Sequence, residues 1–337
     1  MEFETLKYEK NEAGYAVVTF NRPERLNAFS RKLNEEMDLA IHDVLTDDAV
    51  KVMIITGGPR ADGRPCFSAG GDLKDDTQGI PRWDYPDHVG PLQRKEDKLF
   101  KANTAAGRLW YKRPRLISPK YTNLLWSPKI VIAAVDGIAT AGGLEMALAC
   151  DIIIASETAQ FTDSHVKNLK IAIGKGSVTT GLARRVGYNK ALELCLLGEF
   201  IDGKEAYRIG LANRVTAPEK LMEEARAMAT KIAGMRQEAV QVTKLACRTA
   251  EDSNLNDSWA NADELLEWMT SDPNYQGLQI GHIGVGQQEE VKRFYTFAEK
   301  PEPIIGSGFY CPSLTSHPMT ASHGIAEAAI PNSQYRR

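Results

Sequence analysis

Two glycine-rich turns, each directly after an apolar run, carry the residues of this chain best suited to chemistry. The first is Cys66-Phe67-Ser68-Ala69-Gly70-Gly71-Asp72-Leu73; the second is Asp136-Gly137-Ile138-Ala139-Thr140-Ala141-Gly142-Gly143-Leu144-Glu145. Small residues let a backbone approach a ligand and leave amide hydrogens uncovered. The second turn passes from a strand into a helix, and the first amides of a helix point outward and favour negative charge. Two such amides converging on one oxygen form an oxyanion hole, which stabilises an enolate or a tetrahedral intermediate. A lone glutamate at a helix start ordinarily only complements the helix dipole. Glu145 is read as an acid/base because it coincides with both turns. Neither turn is a nucleotide fingerprint. The second lacks the G-x-G-x-x-G spacing, and in Gly174-Lys175-Gly176-Ser177 no Ser or Thr directly follows the Gly-Lys pair.

These turns need strands and helices to hold them. Tyr15–Phe20 and Val52–Thr56 read as strands, and Ser30 caps a helix marked by Leu33, Met37, Ile41 and Val44. That strand–helix–strand order predicts parallel pairing through a crossover helix. A strand over 129–135, a helix over 143–149 and a strand over 152–155 continue the rhythm, which extends to about Val215. Helices follow: Leu221, Ala225, Met228, Ala229 and Ile232 mark one, and Leu265, Leu266 and Met269 another. Between 74 and 127 the pattern breaks into an irregular opening, a helix around 92–110 and a basic, proline-bearing link. From 301 to 337 prolines, glycines and serines predict an irregular tail.

The chain has 337 residues, 43% of them hydrophobic, enough for a large packed core. A formal charge of −3 argues against nucleic acid or an acidic membrane surface as partner. The small basic cluster Lys112, Arg113 and Arg115 reads as a solvated face. No apolar run approaches the roughly 20 residues of a membrane span. The five cysteines, at 66, 150, 195, 247 and 311, include no C-x-x-C pair. They suit free thiols in a reducing, cytoplasmic setting, with no disulfide framework and no metal site.

The sequence resembles the crotonase (enoyl-CoA hydratase/isomerase) superfamily. The resemblance is carried by Asn21-Arg22-Pro23-Glu24-Arg25-Leu26-Asn27-Ala28, the two turns, Cys150–Ala155, Ala159-Gln160-Phe161, Gly198–Ala206 and Gly210–Val215, over roughly residues 1–300. It implies an α/β crotonase fold, a spiral of ββα units with a C-terminal helical region. On this reading 1–215 is the spiral core, with an enlarged acyl-pocket insertion at about 74–127. Residues 216–300 form a helical oligomerisation region, and 301–337 the tail. The resemblance also implies a homotrimer or dimer of trimers, and a bent acyl-CoA substrate whose thioester oxygen meets the amides of Ala69 and Gly142. Coenzyme A enters as part of that thioester, and no further cofactor is required. Arg25, Leu26 and Ala28 fall in the first coenzyme A loop, and Ala69, Gly70, Gly71, Asp72 and Leu73 in the second. Asp72 is expected to orient its loop, and Glu145 to be the first of two catalytic carboxylates.

The second carboxylate is missing. Its position falls on His165 in Thr162-Asp163-Ser164-His165. Hydration places a water between two groups that exchange protons, and an imidazole with an unperturbed pKa near 6.5 can serve as one of them. Asp163 either orients His165 or faces away from it. The loop Lys170–Gly176 also departs from the family pattern. Trp83, Tyr85, His88, Phe100, Trp110 and Tyr111 furnish the insertion with aromatic groups, as for a bulky or cyclic acyl group. The expected activity is enoyl-CoA hydration, in fatty acid or aromatic acid degradation. Double-bond isomerisation, hydrolytic C–C cleavage of a β-keto acyl-CoA, and non-catalytic acyl-CoA binding are the alternatives.

Overall fold

The computed structural model describes residues 2–75, 119–170, 178–251 and 253–270. Backbone packing divides the chain between Tyr275 and Gln276, and every described residue belongs to the first unit. The expected helix around 92–110, the aromatic residues of the insertion, the loop after Lys170 and the tail from 301 lie outside the described residues.

Among the described residues ten strands form two sheets. The larger runs in the order β1 (Leu6–Asn11), β2 (Tyr15–Phe20), β3 (Val52–Gly57), β5 (Ile130–Val135), β7 (Ile152–Ser156) and β10 (Arg214–Thr216). Its first pair is antiparallel and all its others are parallel. The smaller sheet runs β4 (Cys66–Ser68), β6 (Ile138–Thr140), β8 (Gln160–Thr162) and β9 (Ile201–Asp202), with only the last pair antiparallel. Nine α-helices are described: α1 (Arg31–Thr46), α2 (Pro119–Leu125), α3 (Gly142–Leu148), α4 (Val178–Val186), α5 (Tyr188–Leu197), α6 (Gly203–Arg208), α7 (Leu221–Ala233), α8 (Gln237–Ala250) and α9 (Leu255–Thr270).

Side-chain alternation explains why the central strands read as continuous apolar runs. On β3, Met53 and Ile55 enter one core cluster, whereas Val52 and Ile54 enter a second on the opposite face. Leu33, Met37, Ile41 and Val44 of α1 join the first cluster, and Leu221, Ala225 and Ala229 of α7 cover the second. A strand buried on both faces has no polar side to alternate with. The Ser30 cap forms as expected, its hydroxyl accepting from the Leu33 amide at 3.2 Å. The parallel β2–β3 pair joined through α1 matches the sequence reading.

Candidate active site

Strands β4, β6 and β8 run parallel and side by side, so their C-terminal ends deliver three segments to one edge of the small sheet. Ala69–Leu73 follows β4, Ala141–Glu145 follows β6, and Asp163–His165 follows β8. The last residues of β6 and β8, Thr140 and Thr162, are register partners, which fixes where the second and third segments begin.

The two glycine turns touch through their backbones. A Cβ on Gly70, whose φ is +92°, would lie 2.8 Å from the Gly142 nitrogen. A Cβ on Gly143 would lie 2.3 Å from the Ser68 carbonyl oxygen, closer than any side chain allows. Asp136 holds the start of the second turn, accepting at Oδ1 from the Gly137 amide at 2.8 Å and the Thr158 hydroxyl at 2.7 Å. Ala141 enters α3 at φ 48° and ψ −117°, a conformation side chains avoid. Such residues cost about 1–3 kcal/mol and persist only where the surroundings impose them.

The amides of the first turn are not equivalent, and this corrects the expectation for Ala69. Its N–H donates to the Leu26 carbonyl at 2.9 Å. The Gly70 amide donates to the Ser68 hydroxyl at 3.2 Å. Gly71 forms a parallel bridge with Phe29, made by Phe29 N–H to the Gly70 carbonyl at 2.7 Å and Asp72 N–H to the Phe29 carbonyl at 3.2 Å. In such a bridge the central residue turns its own N–H away from the partner strand. Gly71 N–H therefore has no acceptor among the described residues, and neither has Gly142 N–H at the first position of α3. A helix leaves its first amides unpaired by construction. The uncommitted pair is Gly71 and Gly142, two residues further along the first turn than the sequence reading placed it.

The loop before the first turn is tied down by a residue the sequence reading quoted but gave no role. Asn27 is fully buried at φ 52°, and its side-chain amide donates to the carbonyls of Gly58 and Cys66, each at 2.8 Å. Its carbonyl oxygen accepts from Arg22 N–H at 2.9 Å. The signal available in the sequence was its type, since asparagine tolerates a left-handed backbone and can satisfy three partners at once. Arg22 bridges onward to Asp72 at 2.9 Å and also donates to the Ala28 carbonyl. The Asp72 carboxylate is thus occupied within the protein, also accepting from Lys74 N–H at 3.1 Å, in line with an orienting role. Of the other expected coenzyme A contacts, Arg25 and Leu73 are exposed, Leu26 is half-buried, and Ala28 is buried.

Glu145 sits one helical turn beyond Gly142, its side chain nearly enclosed at 9% exposure. The Tyr121 hydroxyl of α2 donates to the Gly142 carbonyl at 3.3 Å, clamping the same turn from behind. After β8, Asp163 Oδ1 lies 2.7 Å from His165 Nδ1, so the structure joins the two residues whose relation the sequence left open. His165 begins a five-residue π-helix, His165–Leu169, that periodicity did not foreshadow. No group of three His, Cys, Asp or Glu side chains is placed to hold a metal among the described residues, and no described helix is long and apolar enough to cross a membrane. A cavity of about 750 Å³ lies elsewhere, touching Ile130 and Ile152 at the opposite, N-terminal ends of β5 and β7.

The two-sheet α/β fold thus brings two uncommitted backbone amides and a buried glutamate to adjoining turns at parallel strand ends. Comparison with known proteins identifies the lineage. The family profile for enoyl-CoA hydratase/isomerase matches residues 10–104 and 113–290. A probable enoyl-CoA hydratase of Rhizobium meliloti is 35% identical over 246 residues, spanning 73% of this chain and 82% of that protein. The short-chain-enoyl-CoA hydratase of Clostridium acetobutylicum is 34% identical over 264 residues, spanning 78% and 88%. The crystal structure of an enoyl-CoA hydratase from Mycobacterium smegmatis superposes with a TM-score of 0.64 at 26% identity, covering 87% of this chain and 97% of that one. The chain is an enzyme of the enoyl-CoA hydratase/isomerase family, with the crotonase fold.

Proposed function

We propose that the protein adds water across the α,β double bond of an enoyl-CoA thioester. The observation that carries this reading is the pair of uncommitted amides, Gly71 and Gly142, on touching turns, with buried Glu145 one helical turn away. The thioester oxygen accepts from both N–H groups, which draws electron density from the double bond. Glu145 takes a proton from water as the water oxygen bonds to the β-carbon, and the electron pair moves onto the thioester oxygen as an enolate. Protonation at the α-carbon by Nε2–H of an imidazolium at His165, on the neighbouring segment, completes the addition, and the proton held on Glu145 returns through water to Nε2 for the next turnover. Fixed dipoles aimed at the developing oxyanion supply a large share of such accelerations. Arg25, Leu26 and Leu73 are assigned to the rim that meets coenzyme A, in a cytoplasmic homotrimer or dimer of trimers.

The test is a panel of trans-2-enoyl-CoA thioesters, straight-chain and cyclic, followed by mass spectrometry. Hydration adds one water to the thioester. The Glu145→Gln variant is expected to lose on the order of 10²–10⁴ in kcat. Unchanged turnover in that variant would refute the role of Glu145. Double-bond isomerisation is the second reading, favoured by the single carboxylate, and it leaves the mass unchanged. Hydrolytic C–C cleavage would require a β-keto acyl-CoA and yield a free carboxylate. Turnover of cyclic members of the panel would support a bulky acyl group.

A further inference from the structure

We infer that Asp163 is the positioning residue of His165. Its carboxylate takes the Nδ1 proton and leaves Nε2 as the nitrogen that exchanges a proton with water or substrate. This rests on the reading that places His165 in an acyl-CoA site, and adds a residue to that site.

Asp163 has no exposed surface. Its Oδ1 lies 2.7 Å from His165 Nδ1, and its Oδ2 accepts from the His165 backbone amide at 3.4 Å. Among the described residues both partners of the carboxylate therefore come from His165, and no lysine or arginine pairs with it. A buried carboxylate without a fixed cation is costly unless a neighbour supplies a hydrogen-bonding proton. Here the imidazole is that neighbour.

Contacts on either side fix the backbone at Asp163. Thr162, just before it, is held in register against Thr140. The Asp163 carbonyl packs under Gly198, where an added Cβ would come within 2.9 Å of its oxygen. The ring must come to the carboxylate, and the π-helix that opens at His165 turns it there. Such single-turn π segments recur at functional sites. The imidazole keeps 18% of its side-chain surface exposed, so the ring is not sealed from solvent. A neutral imidazole has one donor and one acceptor nitrogen. With Nδ1–H committed to Asp163, Nε2 is the acceptor, and the carboxylate stabilises the imidazolium formed when Nε2 takes a proton.

The experiment combines spectroscopy and kinetics on the full chain. Long-range ¹H–¹⁵N spectra of the ¹⁵N-labelled protein, with His165→Gln assigning the signal, are expected to show neutral His165 protonated at Nδ1. In Asp163→Asn, which keeps the side-chain size, the proton is expected to move to Nε2 or to divide between the two nitrogens. On an enoyl-CoA substrate, Asp163→Asn should lower kcat about tenfold or more with KM changed less than about twofold. Adding it to His165→Gln should cost nothing further, because the two act as a unit. A wild-type tautomer protonated at Nε2 would overturn the inference, as would an Asp163→Asn variant with tautomer and kcat unchanged. The spectroscopic arm needs no turnover, so it decides the role of Asp163 even if the protein hydrates no enoyl-CoA.

Discussion

Two carboxylates in this enzyme, one half-buried and one fully buried, are built in opposite ways. Asp151, just before β7, accepts from Lys244 Nζ at 2.7 Å, from Arg248 at 3.2 Å and from Val131 N–H at 2.9 Å. Asp163, just after β8, has only His165 among the described residues. The first is surrounded by cations, Lys244 and Arg248, and burial lowers the pKa of Lys244. The second faces an imidazole, whose two ring nitrogens can each give or take a proton. A saturated carboxylate locks helices to a sheet, whereas one paired with an imidazole can take part in proton exchange. Their location agrees: Asp151 ties α8 to the N-terminal ends of β5 and β7, and Asp163 stands at the strand ends that carry the two uncommitted amides.

The comparison can be broken first by removing Asp151. Asp151→Ala leaves the buried Lys244 ammonium without its carboxylate and is expected to destabilise the fold by about 3–5 kcal/mol. Urea unfolding measures this, while kcat per folded molecule should hold. An Asp163→Asn variant that lost as much stability would erase the distinction.

A smaller effect is expected at the touching turns. A Cβ on Gly142 would stand 3.2 Å from both Gly70 Cα and Phe29 Cδ2. Gly142→Ala should therefore push the two amides apart and lower kcat by on the order of 10²-fold, the scale of losing one oxyanion donor. Retained kcat would show that the Gly142 amide is not such a donor.

Asn27→Ala strands the Gly58 and Cys66 carbonyls and the Arg22 amide, at about 1–3 kcal/mol. Thermal unfolding measures the loss. A variant as stable as the parent would mean that water replaces the side chain.

Lys129 gives the subtlest test, as a buried cation that donates to the carbonyls of Val44 and Asp47 and pairs with no carboxylate among the described residues. Burial lowers its pKa to about 8. Above that pH the unfolded chain, with its higher lysine pKa, holds the proton more tightly than the folded one, so stability should rise with pH. From about pH 7 to about pH 9 the gain is on the order of 1 kcal/mol, and Lys129→Met should lack it. A variant keeping the same slope would assign the rise to another group.

Much of the scaffold was legible because it obeys local rules. The Ser30 cap, the two-faced β3 and the helix opening at Gly142 follow from periodicity and small residues. Glu145 and the two turns were legible for the same reason. The choice between the Ala69 and Gly71 amides was not, because it depends on the Phe29 strand meeting the turn from elsewhere in the chain. The contact of Asp163 with His165 was equally hidden. Which way two residues point after a short strand is set by Thr140 and Gly198, and neither is near them in sequence.

The pairing of β4 with β6 bears on how the enzyme comes into being. Cys66 and Ile138 meet across 72 residues of chain, and the contact between the two glycine turns exists only once they do. Closing so long a loop precedes any reward from the contact, and folds dominated by distant pairings form slowly. Catalytic competence should thus arrive with the last steps of folding. A chain halted partway would already have helical content, yet hold no half-working site.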